Sequence, residues 1–481
     1  MNEMTGKTET IASISTTPGE SGIGIIRISG EDAITLASKL YIDKKGDHSL
    51  AGFKSHTIHY GFVTDPKTDS VIDEVMVSVM KAPHSYTLEN VVEINCHGGM
   101  RVCRNILNAV LDSGARLAEP GEFTKRAFLN GRLDLTRAEA VMDTIRAQSD
   151  VSLKQSVNQL RGSLYDLLNN ICSDILYEIA HIEASLDDPD SISLDEYDDE
   201  LLDKTTHIQE RLDKLIKSYD EGRIMSEGVR TVIMGNPNAG KSSLLNVLLN
   251  EDRAIVTDIP GTTRDTLTER VRIGDAMLVL TDTAGIRETT DLIENMGISA
   301  AKKSAQNADL ILYLMDTTTD ASIDDETLIE LLRNKPAIFL LNKNDLTPIE
   351  VDDSNDGITY DSQKLQDFLD EKGIKPSAVI HTSMVTGEGI DELKKVINEL
   401  FYDESLMSDD QVIITNLRHV ERLREARRAL DNVRAGIGSG ASQDLYCIDL
   451  TDAYRALAAI TGAEVNESIV NEIFSKFCMG K

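Results

Sequence analysis

The sequence predicts a multidomain chain that combines α/β and all-α domains, with a doubly wound α/β domain inserted into a helical one. Three observations predict this arrangement. The length of 481 residues exceeds one ordinary core, since domains hold roughly 150 residues each and about three are expected. Apolar residues recur at helical spacing over residues 133–226 and again over 414–437. Between these segments, strand and helix patterns alternate from residue 229 to about residue 400.

The N-terminal segment has the pattern of a mixed α/β domain. Short runs rich in β-branched residues lie at residues 23–28, 71–79 and 91–96, with turn residues between them. Such runs predict strands with interspersed helices. We expect this domain to occupy residues 1–130.

The helical segment is almost free of glycine and proline and is interrupted by the acidic residues 186–199. Because separated segments of a chain can share one core, we predict a single helical domain made of residues 131–226 and 404–481. The inserted α/β domain then occupies residues 227–403.

Composition and charge restrict the class of protein. With 41% hydrophobic and 27% charged residues, the chain falls in the globular range. The apolar runs, such as residues 310–315, are too short to cross a bilayer, and residues 1–17 lack the pattern of a secretory signal. We therefore expect a cytoplasmic protein that does not bind membranes. A formal net charge of −32 disfavours autonomous nucleic-acid binding, so a nucleic-acid substrate would be held by a basic partner.

The five cysteines are spaced far apart in the sequence and include no CxxC pair. This spacing predicts neither structural zinc nor disulfides. They are Cys96, Cys103, Cys172, Cys447 and Cys478.

A glycine-rich loop, GNPNAGKS at residues 235–242, follows the predicted strand 230–234 and precedes a predicted helix over 243–249. In this context the loop amides surround phosphates at a helix N-terminus, Lys241 reaches the β and γ phosphates, and Ser242 binds Mg²⁺. A glycine-rich turn without function is the alternative, and the flanking strand and helix make it the weaker one.

Two further segments supply the switch residues that a GTPase requires. Thr262 and Thr263 follow the loop by about twenty residues, where a threonine completes the Mg²⁺ shell and senses the γ phosphate. DTAG follows an apolar strand and places Asp282 near Mg²⁺ and Gly285 near the γ phosphate.

The segment NKND at residues 342–345 follows the predicted strand 337–341. The carboxylate of Asp345 can accept two hydrogen bonds from the N1 and N2 edge of guanine, which adenine cannot supply. Ser383 occupies the expected base-closing loop, although its neighbours depart from the usual Ser-Ala-Lys. The four segments in this order predict a GTP-hydrolysing domain.

The predicted nucleotide contacts are the loop residues and the switch and base residues together. They are Asn238, Ala239, Gly240, Lys241, Ser242, Ser243, Thr257, Asp258, Ile259, Pro260, Gly261, Thr262, Thr263, Asp282, Thr283, Ala284, Gly285, Asn342, Lys343, Asp345 and Ser383. Ser242 and Thr263 are the predicted Mg²⁺ ligands, and Lys241 is also a predicted catalytic residue.

The position after Gly285 holds Ile286, where a Ras-like enzyme carries a glutamine that positions water. Catalysis must therefore be arranged differently. Arg264 and Arg287 are candidates for an arginine finger, although a switch arginine is more often simply solvated.

The four nucleotide segments, GNPNAGKSS, DIPGTTRD, DTAGIRETTDLIENMGI and NKND, resemble those of the TrmE/Era branch of translation GTPases. The flanking segments PGESGIGIIRISG (residues 18–30), PGEFTKRAFLNG (120–131) and FCMGK (477–481) resemble the MnmE (TrmE) family of tRNA modification GTPases. The resemblance extends from about residue 8 to the C-terminus.

This resemblance implies an N-terminal domain that binds a tetrahydrofolate derivative, in the 5,10-methylene or 5-formyl form, and that forms a homodimer. It implies a helical domain split by a Ras-like G domain. Members act with an FAD-dependent partner, MnmG (GidA), in a heterotetrameric or larger complex. The complex adds a carboxymethylaminomethyl or aminomethyl group to C5 of the wobble uridine of certain tRNAs, which are held mainly through the complex.

The resemblance also implies how hydrolysis proceeds without the glutamine. A potassium ion supplies a fixed positive charge, held by Asn238 and by backbone oxygens of Thr257, Ile259 and Thr262. Glu294 corresponds to the family glutamate that orients the attacking water; a solvated carboxylate at a helix start is the alternative.

For the folate site, the family positions correspond to Arg27, Glu93, Arg132 and Lys481. A pterin edge suits a carboxylate, and its glutamate tail suits cationic side chains. Cys478 is a candidate catalytic thiol near that site, and an inert cysteine is the alternative.

Two nearby segments carry further signals. Leu88 and Asn90 replace the glycine and aspartate usual in the family's TGED-like motif. His97, in the segment CHGG, resembles a family signature, and we interpret it as structural rather than catalytic.

A rival hypothesis is a GTP-dependent switch in ribosome assembly, of the Era or EngA type and without folate chemistry. A basic RNA-binding appendage would favour that rival, and the sequence offers none.

Overall fold

The structure is a computed structural model. It describes residues 9–147, 149–188, 197–251, 269–274, 276–280, 304–318, 323, 325–346, 362–402, 412–465, 467–478 and 480. The chain forms two compact units, and both are discontinuous in sequence. One takes the described residues of 1–145, 156–209 and 422–481, and the other those of 146–155 and 210–421.

The N-terminal part of the first unit is built on a seven-stranded sheet. Its strands are β1 (Ile11–Ile14), β2 (Ser21–Ser29), β3 (Tyr41–Ile42), β4 (Thr57–Thr64), β5 (Val71–Met80), β6 (Val91–Gly98) and β7 (Arg116–Leu117), in the order β3-β4-β5-β6-β2-β1-β7. Pairing is antiparallel except between β1 and β7. Helices α1 (Ala33–Leu40) and α2 (Met100–Asp112) bury their apolar residues with those of the sheet in one core, as expected from strands that alternate buried and exposed residues.

The opposite face of this sheet carries the strand residues that alternate with the buried core residues. Residues directly opposite one another on neighbouring strands share a face. Two rows across β2, β6, β5 and β4 are therefore on one face: Arg27, Glu93, Ser78 and Ile58, and, two residues away, Ile25, Asn95, Met76 and Tyr60. Ile58, Tyr60 and Met76 are exposed, so an apolar surface and the Arg27–Glu93 pair lie on the same face.

Five helices follow: α3 (Glu122–Leu129), α4 (Leu135–Arg146), α5 (Asp150–Arg161), α6 (Ser163–Asp187) and α7 (Tyr197–Glu227). They confirm the predicted helical segment. The acidic residues 186–199 interrupt the helical segment less than predicted, because α6 ends at Asp187 and α7 begins at Tyr197.

The second unit contains a six-stranded sheet. Its strands are β8 (Val229–Gly235), β9 (Glu269–Ile273), β10 (Ala276–Leu280), β11 (Leu310–Asp316), β12 (Ala337–Asn342) and β13 (Ala378–His381), in the order β13-β12-β11-β8-β10-β9. Among these six, only β9 is antiparallel to its neighbour. Apolar clusters lie on both faces of the sheet, and the helices are α8 (Lys241–Glu251), α9 (Glu326–Asn334), α10 (Ser362–Lys372) and α11 (Ile390–Phe401). This is the doubly wound architecture that the alternating pattern predicts.

Three helices form the C-terminal region, nearly all of which belongs to the first unit: α12 (Leu417–Ser439), α13 (Gln443–Thr461) and α14 (Glu467–Ser475). Helix α13 packs along α6, and α14 packs on α3. Phe474 and Phe477 are buried with Leu135 and Met142 of α4, so the two halves of the helical region share a core as predicted. Among the helices of the described residues, none is long and apolar enough to cross a membrane.

Candidate functional site

The phosphate-binding loop lies at the carboxyl end of β8, between β11 on one side and β10 on the other. In open α/β sheets ligands bind where the strand order reverses in this way. Gly240 ends the loop at φ +103°, and a Cβ there would lie 2.2 Å from Nδ2 of Asn342. Only glycine accepts both the backbone angle and that close approach.

The loop leads directly into α8, and three residues of this segment have defined geometry. Lys241 is its first residue, and its Nζ donates to the carbonyls of Gly235 at 3.0 Å and Asn236 at 2.7 Å. The ammonium group of Lys241 is thus held by carbonyl groups of the phosphate-binding loop. Ser242 lies in the first turn of the helix, where helix amides and dipole favour anions. Asn238 has a left-handed φ of 60°, a conformation that asparagine tolerates better than most residues.

The NKND segment is tied directly to the phosphate loop. Asn342 is buried, and its Nδ2 donates to the carbonyl of Ala239 at 2.7 Å. Its Oδ1 accepts from the amide of Met384 at 3.2 Å. One side chain therefore joins the phosphate loop to the Ser383 loop, and its two ends are both satisfied.

The carboxylate of Asp345, which the sequence predicts to recognise the base, is oriented by its neighbours. The hydroxyl of Ser383, which is fully buried, donates to Oδ1 of Asp345 at 2.7 Å and accepts from the amides of Val385 and Thr386. A carboxylate has about four acceptor positions, so this bond leaves acceptor capacity for a guanine edge. The structure thus brings Ser383 and Asp345, both predicted to contact the nucleotide, into direct contact.

The side chain of Lys343 anchors the NKND loop to the sheet. Its Nζ pairs with Oδ2 of Asp316 at the end of β11. Burial alone would raise the pKa of Asp316, but the bonds from Lys343 and Thr318 hold that pKa below its ordinary value. The anchoring ion pair is a feature that the sequence motif did not reveal.

The remaining nucleotide predictions lie outside the described residues. These are Thr257, Asp258, Ile259, Pro260, Gly261, Thr262, Thr263, Asp282, Thr283, Ala284, Gly285 and Glu294, together with Arg264, Ile286 and Arg287.

A second group of predicted residues meets on the open face of the N-terminal sheet. Nε and Nη2 of Arg27 both approach Oε1 of Glu93 at 2.8 Å. The side chains are 15% and 22% exposed, so the pair can be reached from solvent. The third donor group of Arg27, Nη1, donates to the carbonyl of Gly480 at 3.2 Å.

Tyr86 joins Arg27 to Arg132. The guanidinium carbons of the two arginines lie 5.4 and 4.7 Å from the centre of its ring, and Nη1 of Arg132 donates to the Tyr86 carbonyl at 3.2 Å. An aromatic ring, two cationic donors and one carboxylate acceptor suit a planar heterocycle with an anionic tail. Tyr86 was not predicted, since a single tyrosine carries no motif. Lys481, the fourth predicted member, lies outside the described residues.

A largely buried ionic network joins α3 to the segment before β6. Arg126 bonds both Glu89 and Glu122, and Arg116 also bonds Glu122. Burial alone would raise the pKa of Glu122, but the two arginines and the Glu119 amide hold it below its ordinary value. Glu89 also accepts from Ser29 at 2.7 Å.

Leu88, next to Glu89, has a φ of +61°. This is the left-handed region that glycine favours, and the resembling motif has glycine at this position. Leucine therefore replaces glycine here while the backbone keeps the left-handed conformation.

Cys478 and His97 lie in different surroundings. Cys478 is exposed, and its backbone carbonyl accepts from the amide of Gly121 at 3.3 Å. His97 is largely exposed and pairs through Nδ1 with Asp73, whose hydrogen bond raises the pKa of the imidazole.

Comparisons with known proteins match both halves of the chain. The family model "MnmE helical domain" matches residues 135–478, and the model "GTP-binding protein TrmE N-terminus" matches residues 10–132. Among solved structures, an Era variant of Aquifex aeolicus bound to GDP.AlF4− is 28% identical and covers 42% of this chain and 66% of its own, at a TM-score of 0.27.

Curated relatives match over nearly the whole length. The "tRNA modification GTPase MnmE" of Lachnoclostridium phytofermentans is 44% identical over 475 residues, covering 99% of this chain and 100% of that protein. The protein of the same name from Bacillus subtilis is 43% identical over 474 residues, covering 98% and 100%. With two family models and full-length relatives in agreement, the chain belongs to the MnmE family of tRNA modification GTPases, enzymes that hydrolyse GTP.

Proposed function

We propose that this GTPase is stimulated by potassium and acts with an FAD-dependent partner, MnmG, to add a carboxymethylaminomethyl or aminomethyl group at C5 of the wobble uridine of certain tRNAs. The reaction would take place in the cytoplasm. The observation that carries the proposal is the convergence of Arg27, Glu93, Arg132 and Tyr86 at a reachable position outside the nucleotide domain.

The nucleotide site supports guanine recognition and phosphate binding. Asp345 is held by Ser383 with acceptor capacity for the base, and Lys241 and Ser242 begin the helix whose N-terminus would face the phosphates. Oxygen ligands such as the Ser242 hydroxyl suit Mg²⁺, and the side-chain amide oxygen of Asn238 suits potassium. A bound potassium ion would supply positive charge near the transferring phosphoryl group, and Glu294 would orient the attacking water.

The potassium proposal is tested by the change Asn238→Ala. We expect GTP binding to remain and potassium stimulation of hydrolysis to be lost, because the side chain supplies a ligand to the ion but not to the base. Hydrolysis is measured in potassium chloride and in sodium chloride at equal ionic strength. Unchanged potassium dependence would exclude this ion site.

The second site is proposed to bind the tetrahydrofolate derivative. Glu93 would accept from the pterin edge, the cations Arg27 and Arg132 would attract the glutamate tail, and Tyr86 would contact the ring system. The bound derivative would supply the one-carbon unit. Cys478 and Lys481 are proposed to lie close to it.

The first test is calorimetric titration of the full chain with 5-formyltetrahydrofolate, alongside Arg27→Ala and the control Arg104→Ala, an exposed arginine on α2. We expect saturable binding, weakened roughly 10- to 100-fold by Arg27→Ala because a charged hydrogen-bonding group is lost. The control should bind like the wild type. The absence of binding by the folded wild-type protein would favour the alternative function, a switch in ribosome assembly without folate chemistry.

Two surface properties support the proposed homodimer and the proposed partner: an exposed apolar face and a negative net charge. The apolar residues Ile58, Tyr60 and Met76 share a sheet face with the Arg27–Glu93 pair, so pairing of two such faces would cover the apolar surface beside the one-carbon site. The net charge of −32 disfavours direct tRNA binding. We therefore propose that MnmG, in a heterotetrameric or larger complex, holds most of the tRNA.

A further inference from the structure

The C-terminal residues of the chain are seated on the N-terminal domain. We use the term tail for Cys478 and Gly480, which the structure describes. The carbonyl of Cys478 accepts from the amide of Gly121, in the segment PGEFTKR. The carbonyl of Gly480 accepts from Ser15 and from Arg27. Two segments that are separated by more than 350 residues in sequence are therefore joined in space.

We use the term seat for the residues Ile14, Ser15, Arg27 and Gly121 that contact the tail. This seat accepts only glycine at position 480. Gly480 is buried at φ +85°, and a Cβ there would lie 2.5 Å from the carbonyl oxygen of Ile14 and 2.7 Å from Cα of Ser15. These neighbours are backbone atoms of β1 and its end, which cannot yield as a flexible side chain can. The fit between tail and seat is therefore specific, and not a chance apposition of surface groups.

Ser15 and Arg27 both hold the carbonyl group of Gly480. Its hydroxyl donates to Gly480 O at 3.1 Å, and its own amide donates to the carbonyl of Ile25 at 2.8 Å, which anchors it to β2. Arg27 donates to the same oxygen at 3.2 Å. The carbonyl's two lone pairs are thus both used.

Arg27 links the seated tail to Glu93. Nε and Nη2 point to the carboxylate, and Nη1 points to Gly480 O. Because the guanidinium group is a rigid plane, an acceptor at Nη1 fixes the orientation of the face that the other two nitrogens present. If the tail left the seat, the guanidinium group of Arg27 would lose the Gly480 carbonyl and keep only the Glu93 carboxylate as an acceptor.

We propose that Ser15 is a positioning residue for the one-carbon site: it holds the carbonyl of Gly480, and the seated tail in turn orients Arg27 toward a folate ligand. This inference rests on the proposed folate-binding function. Since binding couplings are reciprocal, a ligand that uses the oriented Arg27 also stabilises the seated tail.

The experiment uses the full-length chain and two readouts. The first is the Kd for 5-formyltetrahydrofolate by calorimetry. The second is amide hydrogen exchange of Gly121, whose N–H donates to the tail carbonyl and therefore reports seating without any ligand. The variants are Ser15→Ala and Gly480→Ala. Gly46→Ala is the matched control, because Gly46 has a φ of +86° but no heavy atom within 4 Å of the position that a Cβ would take.

We expect Ser15→Ala to raise the Kd by roughly 2- to 10-fold, the equivalent of one neutral hydrogen bond, and to speed Gly121 exchange by a similar factor. Gly480→Ala should do both by roughly 10-fold or more, because strain is added to the lost fit. Saturating 5-formyltetrahydrofolate should slow Gly121 exchange in the wild type. Gly46→Ala should change neither readout.

Three results would overturn the inference. If Ser15→Ala changes neither readout, Ser15 does not hold the tail. If the Kd rises while Gly121 exchange stays at the wild-type rate, Ser15 acts on the ligand directly. If exchange quickens while the Kd is unchanged, the tail and the ligand are not linked. A wild-type chain that binds no folate instead refutes the proposed function and with it the linkage, while the exchange of Gly121 still decides whether Ser15 seats the tail.

Discussion

At Leu88 a single side chain occupies a backbone conformation that suits another residue. The φ of +61° lies in the left-handed region, where a residue with a Cβ costs about 1–2 kcal/mol. The surrounding contacts hold the loop in place: Glu89 bonds Ser29 and Arg126, and Asn90 accepts from the amide of Ala82. The loop therefore keeps its position through its neighbours and not through its own preference.

This strain can be measured with a pair of variants. Leu88→Gly and Leu88→Ala both remove the half-buried side chain, but only glycine relieves the backbone. We expect the glycine variant to have a free energy of unfolding higher than that of the alanine variant by about 1 kcal/mol, measured by thermal unfolding in a calorimeter. At an ordinary backbone angle the order is reversed by about 0.5–1 kcal/mol, so an alanine variant that is the more stable one would show that no strain is present.

Residues that belong to motifs were predicted from the sequence, and residues that support them were not. Lys241, Asp345 and Ser383 stand in patterns whose spacing reflects the ligand. Tyr86 and Asp316 act through contacts with residues far away in sequence, so no local pattern marks them.

Cys96 and Cys103, which no sequence pattern pairs, have sulfur atoms 3.8 Å apart, and burial raises the pKa of Cys96 to about 12.

At the scale of elements, periodicity predicted several strands of both sheets and the long helices. The predicted strands at 71–79 and 337–341 are Val71–Met80 and Ala337–Asn342. Helices α13 and α14 were not predicted individually. Helix α14 depends on a core with α3 and α4, which are more than 300 residues away in sequence. Such long-range packing decides whether a short segment is helical.

The end of β11 and the NKND loop are joined by one ion pair, which gives a prediction for pH dependence. Asp316 is 5% exposed and pairs with Lys343, and its pKa lies below the ordinary 3.8. A carboxylate with a lowered pKa contributes stability above its unfolded-state pKa and loses that contribution as pH falls through its folded-state pKa. The pair should therefore stabilise this connection throughout the neutral range and fail only in acid.

The change Asp316→Asn should lower the free energy of unfolding by about 1.5–3 kcal/mol at pH 7, because a charge-assisted bond is lost. The difference between the wild type and the variant should be constant from pH 8 to 5.5 and shrink only below about pH 4. Urea unfolding followed by circular dichroism measures it. Asp391→Asn, which removes an exposed partner of Lys394, is the control and should change stability by less than about 0.5 kcal/mol. A difference that already shrinks between pH 8 and 6 would assign the effect to another group.

At the scale of the whole molecule, the sequence predicted the inserted nucleotide domain and the split helical region. It did not reveal the seat of the tail, because that seat is formed by backbone atoms of β1 together with Ser15 and Arg27. Nor did it reveal which face of the N-terminal sheet is open. Strand alternation predicts that each strand has two faces, but only the position of α1 and α2 decides which one is covered.

The open face gives the last prediction. Ile58 is 61% exposed on the row that continues through Ser78 and Glu93 to Arg27. If two chains pair through this face, Ile58→Glu buries a charge in an apolar interface, which costs several kcal/mol, and two such charges meet across a symmetric contact. We expect the variant to sediment as a monomer at concentrations where the wild type is a dimer. Ile448→Glu on α13 is the matched control, because Ile448 is 59% exposed and lies outside the sheet, so it should remain dimeric. A dimeric Ile58→Glu variant would show that the open face is not the contact, and would separate dimer formation from the proposed one-carbon site on this face.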